Sequence, residues 1–162
     1  MSSAEQIVTF TNQILGQVAH LPAELIAWRP APDVWSIQEI LCHVEEFIPY
    51  WTRQTLQMIN RPDEPWGRDH TDRDRKLAVE SASQRDFPSV VNGIRAAAQS
   101  SAEALSRLSD GDLAVESASR NPRWGVKPAR FVVDHLLVQH LEKHLGQIRR
   151  NMDQHRQAGG TR

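Results

Sequence analysis

The stretch ARFVVDHLLVQHLEKHLGQIRRNMDQH, residues 129–155, decides how this chain is read. Its apolar residues Val133, Leu136, Leu137, Leu141, Leu145 and Ile148 recur at helical spacing, and at roughly 100° per residue they form one face. His140 and His144 fall inside the same arc, so two imidazoles stand one turn apart on the buried side of a long helix. Burying them without hydrogen bonds would cost on the order of 1–3 kcal/mol each. A shared metal ion would satisfy both at once. His135 lies on the opposite face and is expected in solvent.

Upstream, strand signals are scarce and three further helices are expected. The first spans Ser3 to Ala19, with Ser3 and Gln6 as a capping box and Ile7, Phe10, Ile14 and Val18 as its stripe. It ends at His20-Leu21-Pro22, because proline disfavours helix in the residue before it. After the proline-punctuated loop from Trp28 to Trp35, Ser36 and Glu39 form a second capping box. Ile37, Ile40, Leu41, Val44, Phe47, Ile48 and Trp51 continue that helix toward Asn60, with Pro49 as a candidate kink. Arg61 to Arg85 reads as a long crossover loop with a short helical turn. Asp86 and Pro88 open a third helix whose buried face is Val91, Ile94, Ala98, Leu105 and Leu108, stopped at Asp110-Gly111. A second loop follows before the stretch quoted first, and 158–162 reads as a disordered tail. The expected fold class is therefore all-α: a single four-helix bundle domain over 1–157, whose long connections allow parallel neighbours.

Composition narrows the function classes. The chain has 162 residues, suited to one domain with a proper core, and a net charge of −1. That balance argues against nucleic acid or an anionic membrane surface as partner. No apolar run approaches the roughly 18 residues that span a bilayer. The one cysteine, Cys42, excludes an internal disulfide and fits a reducing cytoplasm. Met1 to Phe10 has no basic region followed by an apolar stretch, so a cytoplasmic location is expected.

Two histidines are too few for a tight zinc site. The third candidate is His43, at the edge of the second helix's stripe beside Phe47. His20, His70 and His155 sit at a helix end, in the charged loop and near the tail. Two familiar sites are excluded by spacing. In His140-Leu141-Glu142-Lys143-His144 the glutamate comes one place too late for the zincin His-Glu-x-x-His. The residues three before His43, His140 and His144 are Ile40, Leu137 and Leu141, so the di-iron Glu-x-x-His is absent.

Trp35-Ser36-Ile37-x-Glu39-Ile40-Leu41-x-His43-Val44-x-Glu46 resembles the second-helix signature of the DinB/YfiT-like superfamily, and His140 to Ile148 resembles its last-helix signature. Trp28-Arg29-Pro30 is similar to the loop before that second helix. The resemblance implies a bundle of up-down-down-up order, a three-histidine metal site at His43, His140 and His144, and a homodimer. Relatives of known activity include S-transferases and isomerases that use bacillithiol, mycothiol or glutathione.

Three histidines with an open fourth position is a catalytic pattern. Zinc or nickel suits imidazole best, with iron or manganese as further candidates. The open position would hold water or the thiol of a low-molecular-weight co-substrate. Cys42 reads as a small buried residue and not as that thiol. Glu46, one turn after His43, is the candidate catalytic base or ligand-orienting group; its plain alternative is a solvated helix residue. Gln147 reads as structural. Trp35, Tyr50, Trp51 and Trp66 are candidates for a pocket mouth, with Trp51 rather in the core. Arg29, Arg53 and Arg68 are candidates for holding a carboxylate of a thiol cofactor. The reading is a metal-dependent enzyme of S-transferase or hydrolase type acting on a small molecule. A non-catalytic metal-binding bundle and a plain interaction bundle stand as alternatives.

Overall fold

The computed structural model describes residues 1–159. Its helices are α1 (Ser3–Val18), α2 (Ala23–Ala27), α3 (Ile37–Asn60), α4 (Arg73–Glu80), α5 (Phe87–Ser106), α6 (Asp110–Leu113), α7 (Ala129–Phe131) and α8 (Gln139–Gly159). A π-helical segment, Val132–Val138, joins α7 to α8, so 129–159 forms one long rod. Short strands β1 (Glu116–Ala118) and β2 (Val126–Pro128) pair antiparallel. None of these helices is long and apolar enough to cross a membrane.

The four long rods form a bundle in which α1 packs on α5 and on the 129–159 rod, while α3 packs on the same two. α1 and α3, successive in sequence, therefore sit across the diagonal. Named contacts fix the directions. Gln38 Nε2 donates to the carbonyls of Ala82 and Arg85, and Thr52 Oγ1 meets Ser101 Oγ at 2.6 Å, so α3 and α5 run parallel. Ser3 Oγ donates to Asp134, so α1 runs with the last rod, whereas Asn151 Nδ2 donates to the Trp35 carbonyl, so α3 runs against it. The order is up-down-down-up, as the resemblance implies. The 61–86 link makes it feasible by carrying the chain back along the bundle between two parallel helices.

Local chemistry sets the helix starts. Ser36 and Glu39 cap α3 reciprocally, and Asp86 accepts from the Ser89 amide to start α5. α1 is capped by Ser2 and Glu5, one residue earlier than the spacing of Ser3 and Gln6 predicts. α3 continues through Pro49 to Asn60. Buried Ile7, Ile14, Val18, Ile40, Leu41, Phe47, Ile48, Ile94, Leu141 and Ile148 make the core between the rods.

Several expectations are corrected. The short helical turn expected in 61–85 is the two-turn α4, whereas the loop after α5, read as plain loop, contributes α6 and the β1–β2 hairpin. α5 buries Val90 and Ser101, while Val91 and Leu108 are only half-buried. The last helix runs past His155 to Gly159, which takes in Ala158 and Gly159 of the expected tail. Residues 160–162 of that tail lie outside the described residues. Trp66 is no pocket rim: it is fully buried, its indole N–H donates to the Ser117 carbonyl, and its backbone pairs with Ala118 and Arg120. Gly67 beside it turns the chain at φ +85°, a conformation glycine adopts without steric cost.

Candidate metal centre

His43 enters the site because the Ser36 cap sets the phase of α3, and every residue from Ile37 to Val44 is buried. Burial on all sides requires partners for the polar members. Glu39 has them: Arg29 donates to both its oxygens, at 2.8 and 2.5 Å, and the Ser36 amide donates as well. His140 and His144 come from the first turns of α8. Just before them the π segment inserts its wider turn, marked by a bond from the Gln139 amide to the Asp134 carbonyl. The phasing change buries Val132 and Val138, which a uniform 100° step misses, and leaves Leu136 partly exposed. His135 is half-buried rather than fully solvated, stacked on Phe131 with centroids 5.0 Å apart.

The structure brings His43, His140 and His144 together. One ring nitrogen from each lies within 4.8 Å of the others. His43 Nε2 and His140 Nε2 are 3.3 Å apart. That matches the edge, about 3.3 Å, of a tetrahedron with metal–nitrogen bonds of about 2.0–2.1 Å. His140 lies flat on Phe47 with centroids 4.0 Å apart, and Trp35 meets His43 edge-on at 5.1 Å.

Hydrogen bonds at the outer nitrogens select the tautomers. His140 Nδ1 lies 3.3 Å from the Leu136 carbonyl, and His144 Nδ1 lies 2.9 Å from Gln147 Oε1. Both contacts require Nδ1–H as donor, which leaves each Nε2 as a bare lone pair. Among the described residues, His144 Nε2 is buried with no hydrogen-bond partner, and so is His43 Nδ1. A buried orphan lone pair within a three-nitrogen cluster is the feature a metal ion would satisfy, so the donor set fits one.

All three rings are held neutral. Burial pushes His43 far below the usual imidazole range, reinforced by His144 and His140. Burial likewise lowers His140, helped by His144 and opposed by the Leu136 carbonyl. His144 falls to about 4 through burial, against the opposing bond to Gln147. Neutral imidazole is the ligating form.

Glu46 does not join the cluster, nor is it a plain solvated residue. Both its oxygens accept from the buried Arg68, at 2.7 and 2.5 Å. Arg68 also reaches Asp72 at 3.1 Å and covers the Tyr50 ring at 3.6 Å. Cys42 is buried as expected, and burial lifts its thiol to about 11. Of the arginines expected to hold an anion, Arg29 and Arg68 are committed to Glu39 and Glu46, and Arg53 is exposed.

The histidines open onto a cavity of about 380 Å³, whose wall includes Trp35, Arg75, Lys143, Gln147 and Arg150. Gln147 is thus a site residue that sequence reading left as structural; its signal was the i+3 spacing from His144. Arg75, on α4, carries no sequence signal at all. A larger cavity, about 620 Å³ and lined by Leu21, Ile26 and Phe87 among others, touches none of the three histidines.

The DinB superfamily profile matches residues 6–148. The solved structure of YfiT from Bacillus subtilis, described as a probable metal-dependent hydrolase with an unusual four-helix bundle topology, superposes with a TM-score of 0.79. The identity is 10%, and the match covers 97% of this chain and 86% of that one. No curated protein matches the chain.

Proposed function

We propose, for a chain that belongs to the DinB superfamily, that His43, His140 and His144 hold one divalent metal ion and that the site is catalytic, of metal-dependent hydrolase type. The observation that carries the reading is the buried, unpartnered His144 Nε2 within a cluster of three neutral imidazoles. Zinc or nickel suits that donor set best, with iron or manganese as further candidates. Bound there, the metal would act as a Lewis acid and lower the pKa of an attached water.

The chain's own residues supply the rest. Leu136 O and Gln147 Oε1 hold two of the rings with Nε2 inward. Phe47 and Trp35 wall the cluster and restrict water. Glu46 is occupied by Arg68, which removes the carboxylate that would have closed the shell and favours an open position over a purely structural site. It also takes away the best candidate base, so proton removal would fall to solvent or to the metal's own effect. The second reading, an S-transferase, would need its thiol from a co-substrate, because Cys42 is buried and protonated. A homodimer is part of the proposal, and analytical ultracentrifugation reads it.

Metal content decides the core of this reading. The wild type should carry close to one divalent ion per chain by elemental analysis, after loading with zinc, nickel, iron or manganese in turn. The His43→Ala/His140→Ala variant should carry none. A wild type that stays empty with all four metals overturns the reading.

A further inference from the structure

The cavity in front of the histidines is lined by three cations, Arg75, Lys143 and Arg150, and by one carboxylate, the exposed Asp33. Arg75 differs from the other arginines around α3. Arg29, Arg68 and Arg85 each pair with a glutamate of that helix. Arg75 enters none of the ion pairs among the described residues, although it is half-buried. Among the described residues its one side-chain hydrogen bond is a long one, 3.4 Å, to the His70 carbonyl. The two acids whose charges act on it, Glu46 and Asp72, both bind Arg68. Burial, and then the charge of Arg68, pull its pKa down, against the opposing charges of Glu46 and Asp72. Trp35 links this guanidinium to the cluster: its ring lies 5.9 Å from the Arg75 carbon and 5.1 Å from the His43 ring.

A half-buried guanidinium with no ion pair of its own is free to take up an anionic ligand. Its planar fork suits the paired oxygens of a carboxylate or a phosphate. We propose that Arg75 is the anion-binding residue of this site, and that the substrate is a small molecule whose oxyanion sits on Arg75 while its reacting group reaches the histidines. Lys143 and Arg150 at the rim steer such a molecule inward. The proposal rests on the metal reading above for the reacting end, but the oxyanion contact belongs to Arg75 alone.

The test is calorimetric titration of the metal-loaded full chain with succinate, with its uncharged counterpart succinamide, and with inorganic phosphate. Wild type, Arg75→Gln and Arg75→Lys are compared, with metal content measured on each. One of the two oxyanions should bind the wild type and bind Arg75→Gln about tenfold or more weakly, the worth of one charge-assisted contact. Arg75→Lys should fall between, metal content should be equal in all three, and succinamide should not bind. Preference for succinate or for phosphate then identifies the oxyanion's carrier. Equal affinity in wild type and Arg75→Gln, no binding of either oxyanion, or succinamide binding as well as succinate overturns the proposal. If the wild type takes up no metal, the metal reading fails by itself, and the same titrations on the metal-free chain decide the role of Arg75.

Discussion

His144 and Gln147, one helical turn apart on α8, are joined by a 2.9 Å hydrogen bond from the imidazole Nδ1–H to the amide oxygen. The bond leaves Nε2 as the lone pair facing the cluster. Without it the ring could take the other tautomer and place an N–H where the proposed metal would need a ligand nitrogen. Gln147→Leu should therefore weaken metal affinity about 10–100-fold with all three histidines intact. Gln147→Glu should retain or strengthen it, since a carboxylate accepts the same bond. Competition against a chromogenic chelator measures both, and unchanged affinity in Gln147→Leu would reduce the glutamine to packing.

The neutral histidines make stability depend on pH in a stated direction. In the metal-free chain the folded-state pKa values of His43, His140 and His144 lie below the ordinary value of about 6.5, with His144 near 4. The unfolded chain thus takes up protons first as pH falls. Stability is full above about pH 6.5 and drains below it, down through the folded value of His144, by up to about 1.4 kcal/mol per pH unit for each ring. Urea midpoints of the metal-free protein should fall steeply from pH 7 to pH 5, and the slope should flatten in His144→Ala. A flat profile in the wild type would contradict the buried, neutral assignment.

Glu46 separates two roles that look alike in sequence. Arg68 is only 6% exposed and takes both oxygens of Glu46, with Asp72 as its other partner. Removing one partner of such a pair leaves a buried charge poorly matched. Glu46→Ala should cost roughly 3 kcal/mol in denaturant unfolding while leaving one metal per chain. Loss of turnover at full stability would instead restore Glu46 as the base.

The parts of the fold legible in the sequence are those fixed by local chemistry. Ser36 with Glu39, and Asp86 with Pro88, announce their helices because capping satisfies backbone amides within one turn. The histidine pair of α8 was legible through periodicity. What stayed hidden depends on elements distant in sequence. The π segment has no propensity signature, yet it decides which way Leu136 faces. Trp66 is buried by a hairpin some fifty positions away, through its bond to Ser117. Arg75 lines the histidine cavity only because α4 docks on α3, with its guanidinium 5.9 Å from the Trp35 ring. Glu46 looked available because nothing in its own helix shows that Arg68 will take it.

Trp66 holds the segment that delivers these arginines. Its amide donates to Ala118 O, its carbonyl accepts from the Arg120 amide, and its indole reaches Ser117 O at 2.9 Å. Two residues later comes Arg68, and soon after it α4 with Arg75. Trp66→Ala empties a fully buried site and should cost about 3–5 kcal/mol in urea unfolding. Trp66→Phe keeps most of the volume but removes the indole bond to the Ser117 carbonyl, and should cost less. The histidines stand on α3 and α8 and not on this segment, so metal content should survive in both variants. Amide hydrogen exchange should quicken first in 66–80, before the bundle helices open. If exchange instead quickens evenly across the bundle, Trp66 is an ordinary core residue and not the clamp of the arginine segment.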